Sequence, residues 1–299
     1  MEHRPEINDR VVVIGGVNMD IGGSPAGRLI LHDSNPGSLS LRAGGVGRNI
    51  AHNLRLLGVK VSLIAAVGGD MYGECILESC AAAGLDMGMA RILPERRSSV
   101  YLYVNDEGGD MAVAIADMDI CREISPEYLA PLMERINSSA AVVLDANLEA
   151  ATIEYIAANC TAPLYADPVS TAKAPRLRNI LGRLSAIKPN AIEAETLTGE
   201  SDPERAAQAL VDAGVKQVFV SMGSRGMIAA EKGRLTRLAA APAEVVNTTG
   251  AGDAAMAAIV RSGMLRLSLE KTAENALWAG SLTAECPDSN TPRLKEIFA

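Results

Sequence analysis

Short runs of almost wholly apolar residues recur along the chain and constrain its fold more than any other feature. They are RVVVIGGV (10–17), KVSLIAAV (60–67), AAVVLDA (140–146), APLYAD (162–167), LSAIKP (184–189) and KQVFVSMG (216–223). A strand with one wet face alternates polar and apolar side chains, whereas an unalternating run fits a strand covered on both faces. Between the runs lie segments with apolar residues three and four apart: GRNIAHNLRLLG (47–58), YGECILESCAAAG (72–84) and DPERAAQALVDAG (202–214). Each closes on a glycine, Gly58, Gly84 or Gly214, where a helix is expected to stop. Strand-helix alternation predicts an α/β fold with a doubly covered, mainly parallel sheet and functional groups at the carboxyl ends of its strands.

Two regions break that rhythm. Residues 18–44 are rich in Gly, Pro and Ser, and residues 97–116 read as two strands joined at a hairpin turn, NDEGGD. Both are expected to form a small β lid inserted into one domain spanning 1–299; the alternative is a pair of edge strands. An apolar hairpin such as SSVYLYV needs cover on its exposed face, so the lid is expected to pair with its copy in a homodimer.

A formal net charge of -8 opposes general adhesion to nucleic acid or anionic membrane, which needs a basic surface to release counterions. Any anionic ligand must therefore be held locally. Cys75, Cys80, Cys121, Cys160 and Cys286 are odd in number and form no C-x-x-C pair, which disfavours a disulfide framework or a zinc knuckle. The N-terminal MEHRPEINDR is charged, and no apolar run approaches the ~18 residues of a membrane span. A cytoplasmic protein is expected.

Three glycine-bearing stretches are candidates for chemistry. VVVIGGVNMD ends a strand, but no G-x-G-x-x-G follows, so a dinucleotide-dependent dehydrogenase is disfavoured. Asn18 and Asp20, an amide beside a carboxylate, suit vicinal hydroxyls of a polyol, or are ordinary turn residues. In AGGVGRNIAHNLRLLG, Gly44, Gly45 and Gly47 lead into a helix with Arg48 and Asn49 in its first turn, allowing close backbone approach to a ligand or simply a tight helix start. In VVNTTGAGDAAMAAIV (245–260), the amides of Gly250, Ala251 and Gly252 stand where a helix begins. They form either an anion cradle with Asp253 aimed at a reacting hydroxyl, or a plain N-cap.

Together these stretches resemble the PfkB-type (ribokinase-like) carbohydrate kinases. The first family signature is matched from Gly44 and Gly45 through Asn49, Ala51 and Gly58 to Gly68, and the second by NTTGAGDAAMAAIV (247–260). KPNAIEAETLTG (188–199) matches the family's magnesium and phosphate segment, and VSMGSRG (220–226) its nucleotide-edge loop. The resemblance implies ATP and Mg²⁺ as cofactors. It makes Gly250, Ala251 and Gly252 the anion hole for the transferring γ-phosphoryl group and Asp253 the base that accepts the substrate hydroxyl's proton. No raised pKa is required of Asp253, because the hydroxyl turns acidic only as its bond to phosphorus forms. Asn190 and Glu193 would organise the triphosphate and its Mg²⁺, Glu193 through water, with Glu195 the alternative carboxylate. Ser221, Gly223 and Ser224 would contact the nucleotide, and Asn275 would flank the adenine. The second signature most often begins with Asp; Asn247 stands there, so a family K⁺ site using that carboxylate is weakened or rebuilt around a neutral amide.

PGSLSLRAGGVGRNIAHNL, VVLDANL (142–148), DPVSTAKA (167–174) and SNTP (289–292) resemble the pseudouridine kinase branch of the family. That implies a nucleoside phosphorylated at its 5′-hydroxyl, with Asn18, Asp20, Gly44, Gly45 and Asn49 on the ribose and Asn147, Asp167 and Lys173 toward the base. A kinase for a free sugar or sugar acid is the alternative enzyme, and a catalytically silent binding protein the alternative outside catalysis.

Overall fold

The first apolar run forms β1 (Arg10–Ile14), whose side chains from Val11 to Ile14 are buried on both faces. The structure, a computed structural model, describes residues 9–298; most of the charged N-terminal stretch, residues 1–8, lies outside the described residues. The chain continues through β2 (Asn18–Pro25), β3 (Gly37–Gly44), α1 (Val46–Leu56), β4 (Lys60–Ile64), β5 (Ala66–Gly68), α2 (Met71–Ala82) and β6 (Arg91–Leu93) to the hairpin of β7 (Val100–Asn105) and β8 (Met111–Asp117). After the short helices α3 (Pro126–Leu129) and α4 (Met133–Asn137) come β9 (Ala141–Asp145), α5 (Ala150–Asn159), β10 (Leu164–Asp167) and β11 (Ala186–Ile187). The last part holds α6 (Ala191–Thr198), α7 (Pro203–Asp212), β12 (Gln217–Ser221), β13 (Met227–Glu231), β14 (Arg234–Leu238), α8 (Ala251–Met264) and α9 (Leu269–Ala284). Helices α1, α2 and α7 end just before Gly58, Gly84 and Gly214, as their spacing predicts.

An eight-stranded sheet runs in the order β14-β13-β12-β11-β10-β9-β1-β4, parallel except for β13 and β14 at one edge. Alternate residues of β1 reach opposite cores. Val12 and Ile14 join Ile153, Ile156 and Leu210 from the side of α5 and α7, while Val11 and Val13 join Ile50, Leu54, Met256 and Ile259 from the side of α1 and α8. Double cover is thus the physical reason the runs do not alternate. KVSLIAAV departs from the expected single strand: the chain turns at Ala65, and β5 leaves the main sheet to pair with β6.

Segments 18–44 and 97–116 meet in a separate four-stranded sheet, order β3-β2-β7-β8, and are not edge strands of the main one. The β7–β8 turn is closed by Asp106, whose Oδ1 accepts the N–H groups of Gly108 and Asp110. The five cysteines are free thiols. Among the described residues no helix is long and apolar enough to cross a membrane.

Candidate active site

Parallel strands deliver their carboxyl ends to one side of the sheet, and charged side chains from distant segments converge there. Asp145 and Asp167 end β9 and β10 as register partners, Lys188 follows β11, and Asp253 lies in the first turn of α8. Lys188 Nζ stands 3.3 Å from Asp167 Oδ2, and both side chains are only 6% exposed. Burial pulls the Lys188 pKa down, but the charges of Asp167, Glu193 and Asp253 outweigh it and hold the ammonium above the ordinary lysine range. Asp253 is pushed up to about 8, first by burial and then by the Asp167 charge, against the Asn49 amide and Lys188. The sequence required no such shift; it arises chiefly because the carboxyl is buried, with the charges of Asp167 and Asp145 adding to it.

The α8 N-terminus faces the same corner. Its N-cap, Gly250, adopts φ 82, a left-handed conformation that side chains resist, and among the described residues no side-chain hydrogen bond caps the helix there. A Cβ placed on Gly252 would stand 3.3 Å from Lys188 Nζ, so the first-turn backbone and the ammonium border one space. An anion entering it meets a cation and the positive end of a helix dipole together.

A second wall comes from β2, β3 and α1. Gly45, at φ 100, turns the chain into α1 so tightly that a Cβ would stand 2.5 Å from the Gly16 carbonyl oxygen. Asn49 Nδ2 donates to Asp253 Oδ2 at 2.9 Å, while Arg48 Nη1 donates to Asn49 Oδ1 at 3.4 Å and so fixes which way the amide points. Asn18 Nδ2 donates to Asp20 Oδ1 at 2.5 Å. Burial raises the Asp20 pKa against that bond and the Arg48 charge, and the carboxylate occupies the room that a side chain on Gly44 would take.

Beyond the corner, Lys173 Nζ donates to Asn147 Oδ1 at 2.6 Å. Asp145 lies beneath them and accepts the N–H groups of Gly16 and Asn147, each at 2.9 Å. Burial nonetheless lifts its pKa to about 6. Val169, between Asp167 and Lys173, holds φ 67, an unfavourable conformation for a β-branched residue and a mark of a loop held by its surroundings.

On the other flank, Asn190 and Glu193 form a reciprocal cap on α6. Asn190 N–H donates to Glu193 Oε2 at 2.8 Å, and Glu193 N–H donates to Asn190 Oδ1 at 2.9 Å. Glu193 is buried and Glu195 exposed. An isolated bridge joins Asn190 to Ser221 at the end of β12, and Gly223 and Ser224 follow in a short turn. Asn275 sits apart: it is buried in α9 and donates to Ser262 Oγ of α8 at 3.2 Å, which ties it into the packing of the two helices.

The structure therefore brings Asn18, Asp20, Gly44, Gly45 and Asn49 together with Gly250, Ala251, Gly252, Asp253 and Asp167. It joins Asn147 to Lys173, and Asn190 and Glu193 to Ser221. Sequence reasoning missed Lys188 and Asp145. Their one local signal was a charged residue directly ending or following a buried strand.

Comparison with known proteins sets this geometry in context. The pattern of the pfkB family carbohydrate kinase matches residues 8–296. The chain is 36% identical over 293 residues to the pseudouridine kinase of Escherichia coli (strain K12), covering 96% of this chain and 94% of that protein. It is 33% identical over 290 residues to an uncharacterized sugar kinase of the same organism, covering 95% and 80%. A solved carbohydrate kinase from Agrobacterium tumefaciens superposes with a TM-score of 0.85 at 29% identity, covering 96% of this chain and 95% of that one.

Proposed function

The chain belongs to the pfkB family of carbohydrate kinases, and from that premise we propose that it transfers the γ-phosphoryl group of ATP to the 5′-hydroxyl of a nucleoside, pseudouridine first. The observation that carries the reading is the corner where Asp253, hydrogen-bonded to Asn49, shares buried space with Lys188 and the uncapped start of α8.

Asn18, Asp20, the backbone at Gly44 and Gly45, and Asn49 bind ribose hydroxyls and bring the 5′-hydroxyl to Asp253. A carboxylate with a raised pKa is a stronger base, and a base is most effective with its pKa near the working pH. The amides of Gly250, Ala251 and Gly252, with Lys188, meet the oxygens of the transferring group; fixed donors in a water-poor corner stabilise charge without reorganising. Among the described residues no three His, Cys, Asp or Glu side chains are grouped to hold a metal ion. Mg²⁺ keeps most of its water and takes few protein ligands. Asn190 and Glu193 would hold it through water, and when bound it neutralises phosphate charge. Ser221, Gly223 and Ser224 border the nucleotide.

The base side rests on Asn147 and Lys173; Asp167, expected there from the sequence, is instead paired with Lys188 in the phosphate corner. A C-linked uracil exposes an imino N–H that an N-linked one lacks, and leaving its buried acceptor unpaired costs about 1–3 kcal/mol. Pseudouridine is expected to exceed uridine by about 5- to 150-fold in kcat/KM. The test is ATP-dependent phosphorylation by the purified protein across pseudouridine, uridine, inosine, adenosine, ribose, fructose and 2-keto-3-deoxygluconate. Equal rates on the two uracil nucleosides would leave a general nucleoside kinase. The likeness to a sugar kinase makes free sugars the second reading, and turnover of sugars alone would retire the nucleoside while keeping the kinase.

A further inference from the structure

Two segments meet behind the phosphate corner: residues 245–250, which lead into α8, and residues 285–291, which follow α9. The N–H groups of Val246 and Asn247 donate to the Ala284 carbonyl at 2.8 and 3.1 Å. The Asn247 side chain then crosses the gap, its Nδ2 donating to the Pro287 carbonyl at 3.0 Å and its Oδ1 accepting Thr249 N–H at 3.0 Å. One amide orientation alone serves both partners, since the reverse would face donor to donor and acceptor to acceptor. The Pro287 carbonyl also accepts from Arg42 Nη1 at 3.0 Å, and Arg42 pairs with Asp288. Both lone pairs of that carbonyl are thereby engaged.

The later segment transmits its position to the candidate site. Ser289 packs so closely on Gly250 that a Cβ there would collide with it, and Asn290 Nδ2 donates to Asn53 Oδ1 at 2.8 Å and to the Asn49 carbonyl at 3.4 Å. Asn49 in turn holds Asp253. Whatever ties 247 to 287 therefore helps set both the α8 start and the orientation of Asn49.

A monovalent cation binding there would need oxygen ligands that are free to face it, a carboxylate or unengaged carbonyls. The chain instead offers a neutral amide with its N–H pointing at the carbonyl, and a second donor that already carries positive charge. The K⁺ implied by the family does not fit this loop. We infer that Asn247, with Arg42, takes the place of a bound monovalent cation, so that the loop before α8 is ordered by hydrogen bonds whatever the K⁺ concentration. This rests on the kinase reading only for its activity readout.

The experiment compares wild type, Asn247→Ala and Asn247→Asp in KCl, NaCl and choline chloride at equal ionic strength, measuring the thermal midpoint and kcat/KM. Wild type is expected to give the same midpoint in all three salts and rates within about twofold, well under the ~1.4 kcal/mol that marks a tenfold effect. Asn247→Ala is expected to lose about three- to tenfold in kcat/KM equally in every salt, as for one lost hydrogen bond. Asn247→Asp is expected to melt lower in choline chloride and to be raised saturably by KCl, as linkage requires of a newly made site. A wild-type midpoint or rate that climbs saturably with KCl overturns the inference, as does an Asn247→Asp protein that K⁺ leaves unmoved. If Asn247→Asp does not fold, wild type and Asn247→Ala still decide. Failure of the kinase reading would appear separately, as no turnover of any acceptor, with the melting comparison unaffected.

Discussion

Asp253 carries two demands that pull against each other, and both are measurable. As the proposed base it must lose a proton, yet burial and the Asp167 charge raise its pKa from 3.8 to about 8. Asp253→Asn should lower kcat by roughly 100- to 10,000-fold, the usual share of a positioned base, with substrate binding little changed. Near-native turnover would remove the assignment. The linkage sign runs the other way for stability. The folded chain holds this proton more tightly than the unfolded chain, so Asp253 is neutral in both states below about pH 4. Its ionisation then opposes folding increasingly as pH rises toward about 8. The midpoint of Asp253→Asn minus that of wild type should be small near pH 4.5 and widen up to pH 8.5. A difference that stays flat across that range would mean the carboxylate is better solvated than the geometry indicates. Free-enzyme kcat/KM of wild type should also rise with pH along a limb centred near 8.

At the scale of elements, legibility follows sequence distance. The glycine-rich starts of α1 and α8 were readable because backbone chemistry at a helix start is local, and the apolar runs were readable because double cover leaves no polar alternation. Strands β13 (MIAAE) and β14 (RLTRL) were not, since their edge position comes from pairing that short, mixed sequences do not announce. Lys188 was hidden for a related reason: its importance lies in Asp167, Glu193 and Asp253, brought to it from three other elements. The loop carrying Val169 was visible as a resemblance, but the hydrogen bond from Lys173 to Asn147, spanning 26 residues, was not. That bond makes a test of the base side. Lys173→Met should raise KM for pseudouridine about tenfold while changing kcat less than about threefold, as expected when a group binds ground and transition states alike. Initial rates at saturating ATP-Mg²⁺ separate the two; a fall in kcat with KM unchanged would move Lys173 out of the base pocket.

At the scale of the whole molecule, the four-stranded sheet has two faces of opposite character. Register places Leu41, Ile21, Leu102 and Ile115 in one row across all four strands, with Leu39, Gly23, Val104 and Val113 in the next on the same side. Leu39 is 76% exposed, Ile115 64% and Val113 57%, an apolar area that a soluble monomer seldom leaves bare. The intervening rows point the other way and contain Asp20 with Tyr101, and Gly22 with Tyr103. One sheet thus presents a candidate ribose ligand on one side and an uncovered apolar surface on the other. We propose that the sheet acts as a lid and that two copies cover each other through the apolar face, so that dimerisation also steadies Asp20. Light scattering at micromolar protein should give a dimer. The double variant Leu41→Glu, Ile115→Lys should give a monomer whose KM for the acceptor rises while its kcat falls less, because the substituted side chains lie on the face away from Asp20. A wild type that is monomeric in all conditions would defeat the pairing, and a monomeric variant with unchanged KM would keep the pairing but sever it from the site.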